Sequence, residues 1–250
     1  MQRSVVVTRL RAAGCVFAED EARLLLAAAA TAAQLTAMVE ERVTGVPLEY
    51  VLGWADFHGL RIAVEPGVFV PRRRTEFLVD EAITVAPPGA VVLDLCCGSG
   101  ALGVAVAAAV PGVDLHAADV DPAAVRCARR NVTGQVYQGD LFAPLPSTLR
   151  GRVDVLLANV PYVPASEVAM LPPEARDYEA RVALDGGADG LDVLRRVAAE
   201  TPRWLAPGGH VLVETSERQA PLALAVVAGA GLDARLARDD DVTVVVGRRA

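Results

Sequence analysis

From residue 91 to residue 246 the chain alternates short apolar runs with longer stretches of helical period, and this alternation constrains the fold more than any other feature. The runs at 91–95, 114–118, 135–138, 153–158 and 210–214 read as strands. The stretches at 101–109, 122–131, 191–203 and 219–228 read as helices. Two further strands read at 233–238 and 242–246. Strands separated by helices pair in parallel and carry the helices on both faces. The expectation is an α/β chain with a mostly parallel, seven-stranded sheet. Ligands of such sheets bind beyond the carboxyl ends of the strands, where the strand order reverses. The chemistry is therefore expected just after Leu95, Ala118, Gln138 and Ala158.

What precedes this region is different in character. Residues 4–45 look helical: Glu19, Asp20 and Glu21 place acids at a helix start, and Leu24, Leu25 and Ala28 continue an apolar stripe. A second helix is expected over 32–43, ended by Gly45-Val46-Pro47. In 55–71 Leu60, Ile62 and Val64 alternate, Pro66-Gly67 makes a turn, and Val68-Phe69-Val70 follows, which predicts a β-hairpin. Arg72, Arg73 and Arg74 then lead into a helix at 76–83. Cations oppose the macrodipole at that end of a helix, so these arginines are expected to meet an anion. The division is a helical N-terminal domain at 1–53, a hairpin linker at 54–73 and an α/β domain at 74–250.

Composition removes several function classes. The net charge is −7, which argues against stable nucleic-acid binding through a basic face. All 24 cationic residues are Arg. Without Lys there is no Schiff-base chemistry and no phosphate loop ending in Gly-Lys-Ser/Thr. Cys15, Cys96, Cys97 and Cys127 form no C-x-x-C pair, and only His58, His116 and His210 accompany them. That spacing suits neither a zinc site nor a disulfide framework, so no metal is expected and a reduced, cytoplasmic location is. The N-terminus has no long apolar segment before a cleavage site, and the apolar stretch at 24–33 is too short to span a bilayer.

The strand ends carry the chemistry. Asp94-Leu95-Cys96-Cys97-Gly98-Ser99-Gly100 follows the first strand, and its glycines let the backbone turn tightly against a ligand. Asp119 ends the second strand, placed to accept both hydroxyls of a ribose, and Asp140 follows the third, placed to accept from an adenine amino group. Gly98, Gly100 and Gly103 also satisfy the dinucleotide pattern G-x-G-x-x-G. Asp94 argues against a pyrophosphate there and for a ligand with a cationic end, such as the amino and sulfonium groups of S-adenosylmethionine. The competing structural reading of Asp94 is a buried cap on the loop.

Asn159-Val160-Pro161-Tyr162 follows the fourth strand. With it the chain resembles the class I (Rossmann-like) S-adenosylmethionine-dependent methyltransferases, and among them the HemK/PrmC-type protein glutamine N5-methyltransferases. The resemblance runs from the helical N-terminal domain and the hairpin ending in Pro71-Arg72 through Thr75-Glu76, the turn at 94–101, Asp119, Asp140-Leu141-Phe142 and 159–162. It continues in Tyr178-Glu179-Ala180-Arg181-Val182-Ala183-Leu184-Asp185-Gly186-Gly187 and Asp189-Gly190-Leu191. It implies that Cys96, Cys97, Gly98, Ser99, Gly100, Asp119, Leu141 and Asn159 line the cofactor, joined by Asp94 and Asp140. It implies methylation of a protein glutamine, first in the Gly-Gly-Gln loop of a release factor and second in a ribosomal protein.

The family's usual motif is Asn-Pro-Pro-Tyr. The acceptor is a planar NH₂ with a delocalised lone pair, so rate comes from orientation. The resemblance implies that the catalytic pair is Asn159 and Tyr162. By the same resemblance the Asn159 side-chain oxygen and the Val160 carbonyl would accept the two N–H bonds, Pro161 follows, and the Tyr162 ring would cover the face. Val160 stands for the first Pro, Arg73 for a Pro, Arg74 for an acid and Ala180 for a Pro, and three of these lie near the expected substrate border. The same clamp suits an exocyclic amino group of a nucleobase. Two further readings compete: an NAD-dependent oxidoreductase, which leaves Asp94, Asp140 and Asn159 unexplained, and a non-catalytic binding relative.

Overall fold

The computed structural model describes residues 1–240 and 242–250. Helices α1 (Arg3–Ala12), α2 (Ala18–Ala28), α3 (Ala32–Val43) and α4 (Leu48–Leu52) come first. Their apolar faces meet around Val6, Leu10, Ala22, Leu25, Leu35 and Val39, a core separate from that of the sheet. Thr31 caps α3 by accepting the Gln34 N–H at 3.1 Å, and Gly53 closes α4 with a φ of +78°. Arg42 lies buried against Glu21 at 2.7 Å and reaches out of the bundle to Glu174 at 2.8 Å. The Tyr50 hydroxyl donates to the Val68 carbonyl at 2.7 Å. These contacts seat the bundle on the rest of the chain.

The hairpin is formed by β1 (Trp54–Phe57) and β2 (Leu60–Ala63), with Phe57 opposite Leu60. Its turn is therefore His58-Gly59, not Pro66-Gly67 as the residue pattern suggests. Both turn residues have positive φ, +50° and +73°, as a two-residue turn of type I′ requires. Histidine is a weak sequence signal for that geometry, and Pro-Gly is a strong one. Residues 68–70 form no second strand: Gly67 bridges to Glu179, and the Val70 N–H donates to the Glu179 carboxylate at 3.0 Å.

The remaining elements are α5 (Glu76–Val85), β3 (Val91–Leu95), α6 (Ala101–Ala109), β4 (Asp114–Asp119), α7 (Pro122–Asn131), β5 (Gln135–Gln138) and β6 (Val153–Ala158). They continue with α8 (Pro173–Tyr178), α9 (Asp192–Trp204), β7 (Leu205–Thr215), α10 (Ala220–Gly229), β8 (Asp233–Asp239) and β9 (Val242–Arg248). The sheet order is β5-β4-β3-β6-β7-β9-β8, parallel except for β9, which runs against both of its neighbours. Leu78 and Val79 of α5 and Val106 of α6 cover one face, with Val92, Leu157 and Leu212 beneath them. Leu194 and Val197 of α9 and Val227 of α10 cover the other, against Leu93, Leu156 and Val213. Every residue of β3 is buried, which is why that run reads as continuously apolar apart from Asp94. The order reverses at β3, between β4 and β6, and this opens a crevice at their carboxyl ends.

Candidate active site

A cavity of about 530 Å³ lies in that crevice, a volume suited to a cofactor-sized ligand. Its floor is the turn between β3 and α6. The Cys97 N–H donates to the Ala118 carbonyl at 3.2 Å, and the Gly100 N–H closes the turn on Cys97 at 2.7 Å. Gly98 and Gly100 take φ of +54° and +79°. Cys96 and Leu141 are non-glycine residues with φ of +54° and +48°, and both line the cavity. Such backbone costs about 1–3 kcal/mol per residue and concentrates at functional sites. Neither residue type announces it in the sequence.

Asp119 binds this floor to β4. One carboxylate oxygen accepts the Gly98 N–H and the other the Asp121 N–H, both at 2.9 Å. Burial pushes its pKa up, against these two hydrogen bonds. Each oxygen accepts one of these bonds and retains capacity for another, and the residue lines the cavity. Asp140 also lines the cavity, with one oxygen taken by Arg196 at 2.5 Å.

Asp94 and Gly100, expected at the cofactor, are not on the cavity wall. Asp94 is 1% exposed, and its carboxyl turns under the loop to accept the Gly103 N–H at 3.0 Å. Burial lifts its pKa to about 8, with Asp119 adding to the rise. Gly100 is spent on the turn, where a Cβ would lie 2.6 Å from Val132. Gly103 lets α6 sit on the sheet, since a Cβ there would lie 2.7 Å from Leu115. The Cys96 and Cys97 thiols are pushed up by burial first and by nearby carboxylates second, so neither is an activated nucleophile.

Asn159, Val160, Pro161 and Tyr162 form the other wall. No protein donor reaches the Asn159 side-chain oxygen or the Val160 carbonyl among the described residues. The backbone just beyond is held firmly. The Val163 N–H donates to Leu184 at 3.1 Å, the Gly186 N–H to Val163 at 2.8 Å, and Gln219 Nε2 to the Tyr162 carbonyl at 2.9 Å. A Cβ on Gly186 would stand 2.6 Å from the Pro161 carbonyl oxygen, and one on Gly190 would stand 2.2 Å from that of Tyr162. The stretch from 178 to 191 is thus a strap whose glycines let it lie directly on the loop.

The arginine run meets anions, as its position leads one to expect, but the sequence does not identify them. Arg72 Nη2 contacts both oxygens of Glu179 at 2.6 Å. Arg74 Nη2 donates to the Tyr162 hydroxyl at 2.7 Å and its Nε to Glu214 at 3.3 Å. Arg74 and Ala180 line the cavity, whereas Arg73 is exposed away from it. No group of three metal-ligating side chains occurs among the described residues.

The two ends differ in chemistry. One presents carboxylates beside a tightly turned glycine loop; the other presents two open acceptors beside a tyrosine ring. The first fits the ribose and the cationic end of S-adenosylmethionine, and burying carboxylates there disfavours a pyrophosphate. The second fits a planar NH₂.

The family model for the methyltransferase small domain matches residues 59–171. A release factor glutamine methyltransferase of Geobacter sulfurreducens is 38% identical over 219 residues, covering 85% of this chain and 76% of that protein. A ribosomal protein uL3 glutamine methyltransferase of Burkholderia pseudomallei is 39% identical over 200 residues, covering 74% of this chain and 65% of that one. Among solved structures, a methyltransferase from Pyrococcus furiosus superposes with a TM-score of 0.59 at 17% identity, over 77% of this chain and 90% of its own, a likeness of fold.

Proposed function

We infer the reaction from one premise: this chain belongs to the family of release factor glutamine methyltransferases. It is an S-adenosylmethionine-dependent methyltransferase acting on the side-chain amide nitrogen of a protein glutamine. The acceptor we propose first is the glutamine of the Gly-Gly-Gln loop of a peptide chain release factor, and second a glutamine of a ribosomal protein. Both substrates occur in the cytoplasm, where four unpaired cysteines stay reduced. No described helix is long and apolar enough to cross a membrane.

The observation that carries this reading is the pair of unengaged acceptors, Asn159 Oδ1 and the Val160 carbonyl, on the wall of the cavity whose floor is the Asp119 loop. When bound, the cofactor supplies an electrophilic methyl group. Cys96, Gly98 and Ser99 support it, Asp119 accepts from its ribose hydroxyls, and Leu141 and Asp140 border its base. Asp94, beneath the turn, holds the loop through the Gly103 N–H without touching the ligand.

The two acceptors hold both N–H bonds of the glutamine amide, which fixes the plane of the nitrogen. The Tyr162 ring closes one side and excludes water. Alignment of this kind is worth effective molarities of about 10⁵–10⁸ M in the best cases. The nitrogen needs no strong base before attack, because its proton becomes acidic only once the new bond forms.

The test is mass spectrometry of a release factor and of a uL3-type ribosomal protein after incubation with the enzyme and labelled cofactor. Label on the Gly-Gly-Gln glutamine is the expected result. Label on the ribosomal protein alone transfers the assignment to that substrate. Absence of label on any glutamine overturns the reading.

A further inference from the structure

We propose that Arg74, anchored by Glu214, is a positioning residue that fixes the Tyr162 ring over the methyl acceptor; this rests on reading residues 159–162 as the acceptor clamp. Three groups from three distant segments converge here. Arg74 precedes α5, Tyr162 follows β6 and Glu214 lies near the end of β7. Arg74 Nη2 donates to the Tyr162 hydroxyl at 2.7 Å, and Nε donates to Glu214 Oε1 at 3.3 Å. The hydroxyl itself lies 3.4 Å from the same carboxylate oxygen.

The distances decide which contact orients the ring. At 3.4 Å the bond from the hydroxyl to Glu214 is longer than the roughly 2.5–3.0 Å typical of O–H···O bonds, so it restrains little. The bond from Arg74 is short and charge-assisted, which makes it the stronger restraint. Arg74 is also not free to swing away. The Glu214 side chain is 3% exposed, and its second oxygen has no partner. A buried carboxylate stripped of its one cation is costly, so the pair holds although the arginine itself is 46% exposed at the cavity rim. An ordinary exposed ion pair would not constrain a side chain in this way.

The loop needs such a restraint. Val160 has no ring to fix its own φ, and its backbone is stiffened only by Pro161 after it. The strap holds the backbone of Val163, and Gln219 holds the carbonyl of Tyr162; neither holds the tyrosine ring. Among the described residues, the phenol oxygen has only Arg74 and Glu214 as partners.

The test uses the full chain labelled with fluorotyrosine. It has four tyrosines, and Tyr162→Phe assigns the resonance of interest. In Arg74→Met the Tyr162 resonance shifts and broadens while the other three stay. In the same variant kcat for glutamine methylation falls about tenfold to a hundredfold, with KM for S-adenosylmethionine little changed. Arg74→Lys recovers part of the rate, because an ammonium reaches the hydroxyl but lacks the planar fork. Arg74→Met combined with Glu214→Gln removes both charges, and so separates loss of the restraint from the cost of a stranded carboxylate; it behaves as Arg74→Met does. An unmoved Tyr162 resonance in both variants overturns the proposal, as does a moved resonance with an unchanged kcat. A wild-type enzyme that methylates no glutamine overturns the acceptor reading instead, and the resonance still decides whether Arg74 orders the ring.

Discussion

The Asp119 carboxylate and the Gly98 N–H, 2.9 Å apart, join the ends of two neighbouring strands into one unit. The same carboxylate, which we propose accepts from the ribose, also shapes the loop on the cavity floor.

Asp119→Ala therefore loosens the floor and, on the proposed reading, removes a ligand contact with it. We predict a loss of about 1–3 kcal/mol in affinity for S-adenosylhomocysteine, the range for a charged hydrogen bond, measured by calorimetry. Asp119→Asn retains one acceptor oxygen and falls between the two. An alanine variant with wild-type affinity would put the ribose elsewhere.

Asp94 sets a pH dependence. Its pKa is about 8 in the fold because burial disfavours the carboxylate, against an ordinary value of 3.8. The folded state thus binds the proton more tightly than the unfolded one. Its contribution to stability is fully present below the unfolded pKa and is lost as pH rises through about 8. We predict that Asp94→Asn, which still accepts from Gly103, raises the thermal midpoint at pH above 8 and has little effect near pH 4. Identical melting profiles at both pH values would refute the burial argument.

Asn159→Ala deletes one of the two open acceptors. The expected outcome is a fall in kcat of about a hundredfold, the scale of a lost orienting contact, with affinity for S-adenosylhomocysteine nearly unchanged. Single-turnover transfer to a confirmed substrate measures it. A full-rate variant removes the clamp mechanism.

Val160→Pro tests the backbone half of the clamp. The Val160 N–H makes no hydrogen bond among the described residues, so a proline costs none there. The prediction is a stability gain of about 0.4–1 kcal/mol from the stiffer unfolded chain, and at most a few-fold change in kcat. Loss of a robust activity in this variant would mean that the loop is shaped for a different acceptor.

The site is legible in the sequence where its chemistry sits at strand ends. Asp119, Asp140 and Asn159 lie on one cavity because a parallel sheet puts its carboxyl ends in one crevice. Asp94 lies one layer deeper than its place in the sequence suggests. A carboxylate at a strand end looks the same in sequence whether it faces the ligand or turns under the loop, and here the Gly103 N–H draws it under. The hairpin turn is misleading for a similar reason, since Pro66-Gly67 carries turn chemistry but Gly67 bridges to Glu179, whose carboxylate also takes the Val70 N–H.

Period, punctuation and residue type determined the order of strands and helices, the glycine floor and the Asn-Val-Pro-Tyr wall, because each depends on neighbours a few residues apart. Tertiary structure alone decided the partners. Glu179 lies 107 positions from Arg72, and Glu214 lies 140 from Arg74. In sequence each is one acid among 31. Burial makes them functional, and burial depends on which strands end side by side. The left-handed backbone at Cys96 and Leu141 is likewise imposed from outside, since neither residue prefers it and the surrounding packing must hold it.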